Sequence, residues 1–304
     1  LFVAQRCSPA YCLWILSIFA VVVFPLFATF STENVWVKES FYREQPRVSF
    51  TYDLLVLAAG DSPAEAVGWS TRQELQLLLP EQVRVPTVRS STEDDNRDGI
   101  ADVVKLMMDL PRPSTSGVRS LLLLAAYDVQ LLGKVKERLG GLVAVDLSSP
   151  YAASGVSVYG ELVFRQTLPL FQTEEARTVY AENPLAINLQ SNWLPAKQPL
   201  TVQDLLQRYT QRNETVLLQQ LVPPIWDYTP SSREQFHLEV TMSVPSQLIY
   251  YVPRATEVLK LAWVQVLSFL IPTWLVLDCL KGIAFDRQLV ETYVVPQLPG
   301  KGSL

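Results

Sequence analysis

Two long apolar segments without a charged residue, one near each end, constrain this chain more than any other feature of its sequence. The first covers residues 11–30 (YCLWILSIFAVVVFPLFATF) and the second covers residues 261–277 (LAWVQVLSFLIPTWLVL). Twenty residues of α-helix span about 30 Å, which is the thickness of the hydrocarbon core of a bilayer. The second segment is near the short limit, but the long side chain of Lys260 can extend to the membrane–water interface. The sequence therefore predicts two transmembrane helices, over residues 11–30 and 259–280.

The composition agrees with a membrane protein. Of the 304 residues, 49% are hydrophobic and 18% are charged, whereas ordinary soluble domains carry about 25% charged residues. A chain this apolar is not intrinsically disordered. Its net charge of −5 argues against a protein that binds nucleic acid by neutralising phosphates. One His and three Cys leave little for a structural zinc site, which usually has four such ligands.

Each apolar segment has an alternative interpretation. Either could be the core helix of a soluble domain, although uncharged runs of this length are rare there. The first could be a signal peptide, although the apolar part of a signal peptide has about 7–15 residues. We predict a protein with two spans, a tail over residues 1–10, one domain over 31–258 and a tail over 281–304. Because the chain begins with Leu1 and not with Met, we expect further residues to precede it.

The domain over 31–258 is predicted to be lumenal or extracellular, with both tails in the cytosol. Asn213 begins the one N-glycosylation sequon of the chain, N-E-T, although such tripeptides also occur by chance. Cys7, Cys12 and Cys279 lie in or beside the spans, near the tails. There they are candidate palmitoylation sites, with plain apolar residues as the alternative. The domain itself contains no Cys, so its core or a metal ion must hold it together.

The domain is predicted to consist mainly of β-strands. Segments rich in β-branched and aromatic residues alternate with Pro and Gly turns, among them a turn at Gly140-Gly141. One amphipathic helix begins at Thr201, with Asp204 in a capping-box position, and ends near Arg212. The predicted strands are 35–42, 47–58, 83–88, 103–110, 119–131, 142–147, 155–164 and 235–244. The fold class is mainly β (α+β), an antiparallel β-sandwich-like lumenal or extracellular domain between two transmembrane helices.

Aromatic residues flank the second span. Tyr250, Tyr251, Trp263 and Trp274 are expected at the membrane–water interface, where Tyr and Trp are enriched. The connection between the domain and the span is short, so the domain cannot move far from the bilayer.

The most specific local motif is the acidic segment 93–102, EDDNRDGIAD. It follows the spacing of a calcium loop, in which alternate oxygens face one ion and Gly99 permits a sharp turn. The predicted ligands are Asp94, Asn96, Asp98, the carbonyl oxygen of Ile100, and Asp102. An EF-hand is excluded, because Lys105 stands where the bidentate Glu would be and a strand-like segment follows. The motif predicts a structural Ca²⁺ site, with a solvated acidic turn that holds no ion as the alternative.

Patterns that indicate catalysis are weak. His237 is the one histidine and lies in an alternating segment, where an exposed strand position is a better interpretation than a catalytic base. The sequence contains no phosphate-binding glycine loop, and its scattered carboxylates select no pair for glycoside chemistry. The chain is predicted not to be an enzyme. An ectoenzyme remains the alternative, and turnover lost on substitution of His237 would support it.

A series of short motifs, in order along the chain, resembles the transmembrane protein 231 family. The motifs are VWVK at 35–38, YREQP at 42–46, GWST at 68–71, RVP at 84–86, the acidic segment, RNET at 212–215, PIW at 224–226 and KLAWVQ at 260–265. The resemblance runs along almost the whole chain. It is weakest over 133–199 and at the two ends.

This resemblance implies a non-enzymatic structural component of the ciliary transition zone, with both termini cytosolic and a glycosylated middle domain. The implied partners are tectonic, B9-domain and Meckel-type proteins besides the lipid bilayer, and no nucleic acid. Together they form the diffusion barrier that controls which membrane proteins enter the cilium. The alternative is a membrane-anchored receptor or lectin-like module that binds its ligand through the calcium loop.

Overall fold

The computed structural model describes residues 2–3, 8–32, 36–62, 65–112, 117–186, 201–229, 235–290 and 293–294. The chain divides into two compact units, one made of Leu1–Lys38 with Pro253–Leu304 and the other of Glu39–Val252. The described helices are α1 (Pro9–Ser31), α2 (Val202–Thr210) and α3 (Ala255–Asp286). The described strands are β1 (Phe2–Val3), β2 (Ser40–Glu44), β3 (Arg47–Ala59), β4 (Val67–Ser70), β5 (Gln82–Val83), β6 (Thr87–Glu93), β7 (Val103–Pro111), β8 (Val118–Leu131), β9 (Glu137–Ala153), β10 (Gly155–Gln166), β11 (Leu170–Phe171), β12 (Glu214–Gln220), β13 (Ile225–Asp227), β14 (Gln235–Ser243), β15 (Gln247–Val252) and β16 (Tyr293–Val294).

The first unit contains α1 and α3, which contact each other. Both helices are long and apolar enough to cross a bilayer, and the predicted spans lie within them. Ser8 caps α1 by accepting a hydrogen bond from the backbone N–H of Tyr11, and Pro9 occupies the first turn, where no N–H is needed. Few side chains of either helix are buried within the chain. A core helix of a soluble domain would bury them, so these helices are suited to lipid.

The described residues of the second unit form three sheets. One has the strand order β5-β4-β3-β8-β9, the next has the order β12-β10-β14-β7-β6 with β13 beside β10, and the third has the order β11-β15-β2. Most neighbouring strands are antiparallel, but β10–β14, β11–β15 and β4–β5 are parallel pairs. The predicted fold class, a mainly β domain of sandwich type flanked by two apolar helices, is confirmed. The parallel pairs were not predicted.

Alternation along β8 shows how the sheets are layered. Leu121, Leu123 and Ala125 enter a core shared with β10 and β14 of the second sheet, because alternate side chains point to opposite faces. Leu124 and Ala126 enter a second core on the other face, together with residues of α2 and of a 3-10 turn at Gln73–Leu78. The domain therefore has three layers: a sheet, a central sheet buried on both faces, and a layer containing α2.

The predicted helix after Thr201 is confirmed. The Thr201 hydroxyl accepts a hydrogen bond from the backbone N–H of Asp204, and the Asp204 carboxylate accepts one from the backbone N–H of Thr201. Leu205 and Tyr209 are the buried residues of this helix. They are four positions apart, so they lie on one face and cover the central sheet.

Most of the predicted strands are present, and three predictions need correction. Gly140 and Gly141 lie inside β9 and form no turn. A Cβ atom at Gly140 would collide with the carbonyl oxygen of Glu182, and one at Gly141 would lie 3.1 Å from Cβ of Val216. These glycines therefore let other segments approach β9 closely.

The predicted strand 35–42 begins later, at Ser40, with Val35 outside the described residues. The predicted strand 83–88 is divided between β5 and β6.

Candidate functional sites

The acidic segment forms the loop of a β-hairpin between β6 and β7. The strands pair from Thr87↔Asp109 to Glu93↔Val103, and the backbone N–H of Asp102 donates to the Glu93 carbonyl oxygen at 2.9 Å. Gly99 has a φ of +83°, a left-handed conformation that glycine adopts without strain. The predicted turn at this position is confirmed.

The polar side chains of this loop accept hydrogen bonds from its own backbone. Oxygens of Asp94, Asn96 and Asp98 accept from the N–H groups of Gly99, Asp98 and Ile100, at 2.9, 2.9 and 2.8 Å. The contacts of Asn96 and Asp98 are the Asx turns that these residue types commonly form in loops, and the Asp94 contact closes the loop across five residues.

Gln45 is a contact of this loop that sequence reasoning missed. Its side-chain amide donates to Asp102 Oδ1 at 2.9 Å and to the Ala101 carbonyl oxygen at 3.3 Å, and the N–H of Asp95 donates to Asp102 Oδ2 at 2.9 Å. The Gln45 amide, followed by the Asp95 N–H, holds the pKa of the Asp102 carboxyl below its ordinary value. Asp102 therefore stays ionised in weakly acidic solution. Because Gln45 precedes Asp102 by 57 residues, no local pattern could have linked them.

The loop does not present an assembled metal site. Among the residues that the structure describes, no three His, Cys, Asp or Glu side chains are grouped so that they could hold a metal ion. Side-chain oxygens of three predicted ligands, Asp94, Asn96 and Asp98, accept hydrogen bonds from backbone N–H groups of the loop. Calcium binding at Asp94, Asn96, Asp98, Ile100 and Asp102 therefore stays a prediction.

Asn213 lies between α2 and β12 with an exposed side chain. Its backbone N–H donates to the hydroxyl of Tyr180 at 3.5 Å, while Glu214 and Thr215, the next two residues of the sequon, are buried. The sequon was predicted at an exposed helix end, and the structure bears this out for Asn213 but not for the two residues that follow it. An exposed Asn can carry a glycan on the folded surface, and the glycosylation itself stays a prediction.

The cysteines are divided between the helices and the undescribed tail. Cys12 lies in α1 and Cys279 in α3, both as exposed free thiols. Cys7 lies outside the described residues. Their lipidation stays a prediction.

A buried acidic pair was not predicted from the sequence. Glu137 is the first residue of β9 and Glu214 the first residue of β12, with side chains 0% and 2% exposed. Arg177 lies between them, with Nη2 3.3 Å from Glu214 Oε1 and Nε 4.0 Å from Glu137 Oε1. Among the described residues, both oxygens of Glu137 and Oε2 of Glu214 have no hydrogen-bond partner. Two buried carboxylates thus share one guanidinium.

The backbone around Arg177 follows the free edge of β9. The N–H of Arg177 donates to the Lys136 carbonyl oxygen at 2.9 Å, and the N–H of Arg138 donates to the Arg177 carbonyl oxygen at 2.9 Å. Further along, the N–H of Gly140 donates to the Tyr180 carbonyl oxygen at 2.7 Å. We call residues 177–182 the edge strap. It covers backbone groups that an edge strand would otherwise leave open to another chain.

The acidic pair is suited to hold a proton. Burial, followed by the charge of Glu214, raises the pKa of Glu137 to about 7, and Arg177 opposes the rise. Burial also raises the pKa of Glu214, again opposed by Arg177. Two carboxylates that share one cation are easier to bury when one of them is protonated. The cluster therefore binds a proton near neutral pH.

His237 lies on β14 with a half-exposed ring, as expected of an exposed strand position. Its Nδ1 atom lies 2.7 Å from Asp109 Oδ1 on β7, and Nη2 of Arg89 lies 2.7 Å from Asp109 Oδ2. The bond from His237, followed by that from Arg89, holds the pKa of Asp109 below its ordinary value. Asp109 therefore makes cross-strand contacts with His237 on one neighbouring strand and with Arg89 on the other.

Comparison with known proteins matches the chain over nearly its full length. A family model described as Transmembrane protein 231 matches residues 2–294. Transmembrane protein 231 of Xenopus tropicalis is 28% identical over 290 residues, which cover 95% of this chain and 91% of that protein. The proteins of the same name from Mus musculus and Homo sapiens are each 29% identical over 298 residues, which cover 97% of this chain and 92% of each relative. Among solved structures, a proton-activated chloride channel aligns with 90% of this chain and 98% of its own, at 7% identity and a TM-score of 0.23, too low to support an argument.

Proposed function

Because the chain belongs to the transmembrane protein 231 family, we propose that it is a non-enzymatic structural component of the ciliary transition zone. It helps to build the diffusion barrier that gates the entry of membrane proteins into the cilium, and so serves cilium assembly and signalling. The observation that carries this proposal is the extent of the family match. Residues 2–294 include both apolar helices and the whole β domain, so the match extends over the complete architecture of this chain.

In this proposal both termini are cytosolic and the β domain is lumenal or extracellular. The exposed side chain of Asn213 supports this orientation, since N-glycans are added on the lumenal side. The domain of Glu39–Val252 contains no cysteine, so an oxidising compartment imposes no disulfide on it. Its stability depends on the two apolar cores already described.

The proposed role requires lateral contacts between proteins in one membrane. The β domain would pack against the corresponding domains of tectonic and Meckel-type membrane proteins, and the cytosolic tails would contact B9-domain proteins. Exposed apolar and aromatic surface on the domain supports such contacts, because large exposed side chains of this kind commonly mark interfaces. Tyr151, Leu221 and Ile225 are exposed examples away from the apolar helices in sequence.

The position of the protein in a ciliated cell tests this function. The endogenous protein is tagged and imaged together with basal-body and axoneme markers, with a tagged two-span protein of the plasma membrane as the control. We expect a ring at the ciliary base that the control does not form. Signal along the ciliary shaft, or evenly over the cell surface, would contradict the transition-zone role.

A calcium-dependent receptor or lectin-like module is the second candidate. The exposure of residues 93–99 favours it, because a ligand could reach Asp94 and Asp98 directly. A defined glycan or protein ligand that is lost on the substitution Asp98→Ala would support this function.

A further inference from the structure

Tyr250 and Tyr251, which were both predicted to lie at the membrane–water interface, are on opposite faces of the three-stranded sheet β11-β15-β2. Tyr251 is 0% exposed, and its hydroxyl is bonded to Nζ of Lys134. Tyr250 is 45% exposed. Adjacent strand residues point to opposite faces, so the prediction that both are interface anchors is wrong for Tyr251. Tyr250 lies on the outer face of this sheet.

The outer face carries several other large apolar side chains. Strand register pairs Phe41 with Tyr250 and Phe171 with Val252, and paired residues point to the same side of a sheet. The rings of Phe41 and Tyr250 lie 6.2 Å apart, and Phe41 is 64% exposed. We define the outer aromatic face as Phe41, Phe171, Leu248 and Tyr250, all of them exposed.

The strands that carry this face are those that the chain joins to the apolar helices. Val252 ends β15, and Ala255 begins α3. Three Cα–Cα steps separate them, so they are at most about 11 Å apart. At the other end of the domain, Ser40 begins β2 nine residues after Ser31 ends α1. Short connections of the chain therefore join both strands to the apolar helices.

The uncharged part of α3 begins soon after the helix itself. Six helical residues from Ala255 to Lys260 rise about 9 Å, and the apolar segment starts at residue 261. The polar headgroup region adds roughly 5–8 Å to each side of the hydrocarbon core. When the apolar segment lies in the hydrocarbon core, the start of α3 therefore falls near the depth at which headgroups meet water.

The composition of the outer face fits that depth. Tyr and Phe rings beside an exposed Arg43, which pairs with Leu248 in the register, combine apolar surface with a group that phosphate oxygens can bind. Interfacial aromatic and basic residues anchor membrane proteins in the same way. From this combination of tether and chemistry we propose that the outer aromatic face lies on the bilayer and contacts lipid headgroups and upper acyl chains. The proposal requires two spanning helices and does not rest on the ciliary role.

Spin labels on the full chain test this contact. The chain, with its three native cysteines replaced by Ala, is purified into phosphatidylcholine nanodiscs, and a label is attached to Tyr250→Cys. Tyr151→Cys is the matched control, because Tyr151 is also an exposed strand tyrosine. Lys134, which is hydrogen-bonded to Tyr251, lies just before the start of β9. Tyr151 lies 14 residues beyond Glu137, the first residue of β9, which is about 46 Å along the strand. The accessibility of each label to oxygen, which partitions into lipid, is compared with that to a water-soluble nickel chelate.

We expect the oxygen-to-nickel ratio at position 250 to exceed that at position 151 by at least severalfold. Equal, water-like ratios would overturn the proposal. A label at position 250 that is shielded from both reagents would also overturn it, since it would indicate packing against protein. Phe171→Cys, on the same face, provides a second reporter if the first variant does not fold, and unchanged circular dichroism identifies the folded variants.

Discussion

Nη2 of Arg177 lies 3.3 Å from Oε1 of Glu214, which ties the edge strap to the first residue of β12. The same guanidinium lies 4.0 Å from Glu137 on β9. Breaking a buried ion pair by removing one partner typically costs about 3–5 kcal/mol, because the remaining charge stays buried. Arg177 thus offsets the cost of two buried carboxylates, and this arrangement leads to two predictions.

Replacing Glu137 by Gln should raise stability at neutral pH. The pKa of Glu137 is about 7 in the folded chain against an ordinary value of 4.5. Between these values the folded state holds more protons than the unfolded state, so stability is fully present below about pH 4.5 and is lost as the pH rises through 7. We expect Glu137→Gln to melt several degrees higher at pH 7.5 and to show a flatter dependence of melting temperature on pH. If the melting temperature of the variant depended on pH as steeply as that of the unmodified chain, the prediction would be contradicted.

Replacing Arg177 by Met should destabilise the domain and open the edge strap. The loss should reach up to about 3–5 kcal/mol at pH 7.5 and be smaller at pH 5, where Glu137 is protonated. Hydrogen exchange should increase at the amides of Arg138 and Gly140, which bond to the strap. Arg138→Met is the matched control, since Arg138 pairs with Asp128 on the surface and such pairs contribute little. Equal effects of the two substitutions would count against a special role of Arg177.

Removal of the hydroxyl group from two buried tyrosines, Tyr209 and Tyr127, should change the stability of the domain differently. The Tyr209 hydroxyl accepts from the N–H groups of Leu142 and Val216 and donates to the Val216 carbonyl oxygen. Tyr209→Phe would leave these groups unpaired, at a cost of about 1–3 kcal/mol. The Tyr127 hydroxyl has no partner among the described residues, so Tyr127→Phe should be neutral or stabilising. Chemical denaturation of the two variants measures the difference, and a larger loss from Tyr127→Phe would refute it.

Calcium binding by the hairpin loop predicts a specific thermal shift. Added Ca²⁺ should raise the melting temperature of the full chain, because a ligand that binds the folded state stabilises it. Asp98→Asn should remove this increase, since Asp98 occupies a predicted ligand position. Asp95→Asn should retain it, because Asp95 lies between ligand positions and contributes its backbone N–H. No shift with calcium in the unmodified chain would exclude the site.

Glycosylation at Asn213 tests the orientation of the domain. Expressed in animal cells, the chain should migrate faster on a gel after treatment with an N-glycosidase, and Asn213→Gln should abolish this change. Thr215→Ser alters a buried residue of the sequon but preserves the sequon itself, so it should retain the glycan. It is the control for a substitution in this segment that leaves the acceptor motif intact. If Asn213 carries no glycan in either form, the sequon gives no support for a lumenal domain.

Local patterns in the sequence predicted the elements of this protein well. An uncharged run long enough to cross a bilayer predicts a helix, because lipid requires every backbone group to be bonded within the segment. Alternation predicted strands such as β10 and β14, since one face of each must be buried. The Thr201 and Asp204 capping box depends on residues three positions apart. All these signals lie within a few residues of one another.

Contacts between distant segments depended on the tertiary structure. Gln45 meets Asp102 across 57 residues, and Arg177 joins two carboxylates that stand on different strands. A Gly-Gly pair is a common turn signal. Gly140 and Gly141 instead lie within a continuous strand, where the absence of a side chain lets neighbouring segments pack closely.

The amino-acid sequence by itself determined that the chain has two apolar helices around a mainly β domain. Tertiary structure decided which strands are neighbours, which carboxylates are buried together, and which of two adjacent tyrosines faces outward. Periodicity fixes that Tyr250 and Tyr251 point to opposite faces, but it cannot say which face is covered. That choice depends on burial against segments far away in the chain, because the free energy of burying a face is realised only when its partner packs against it.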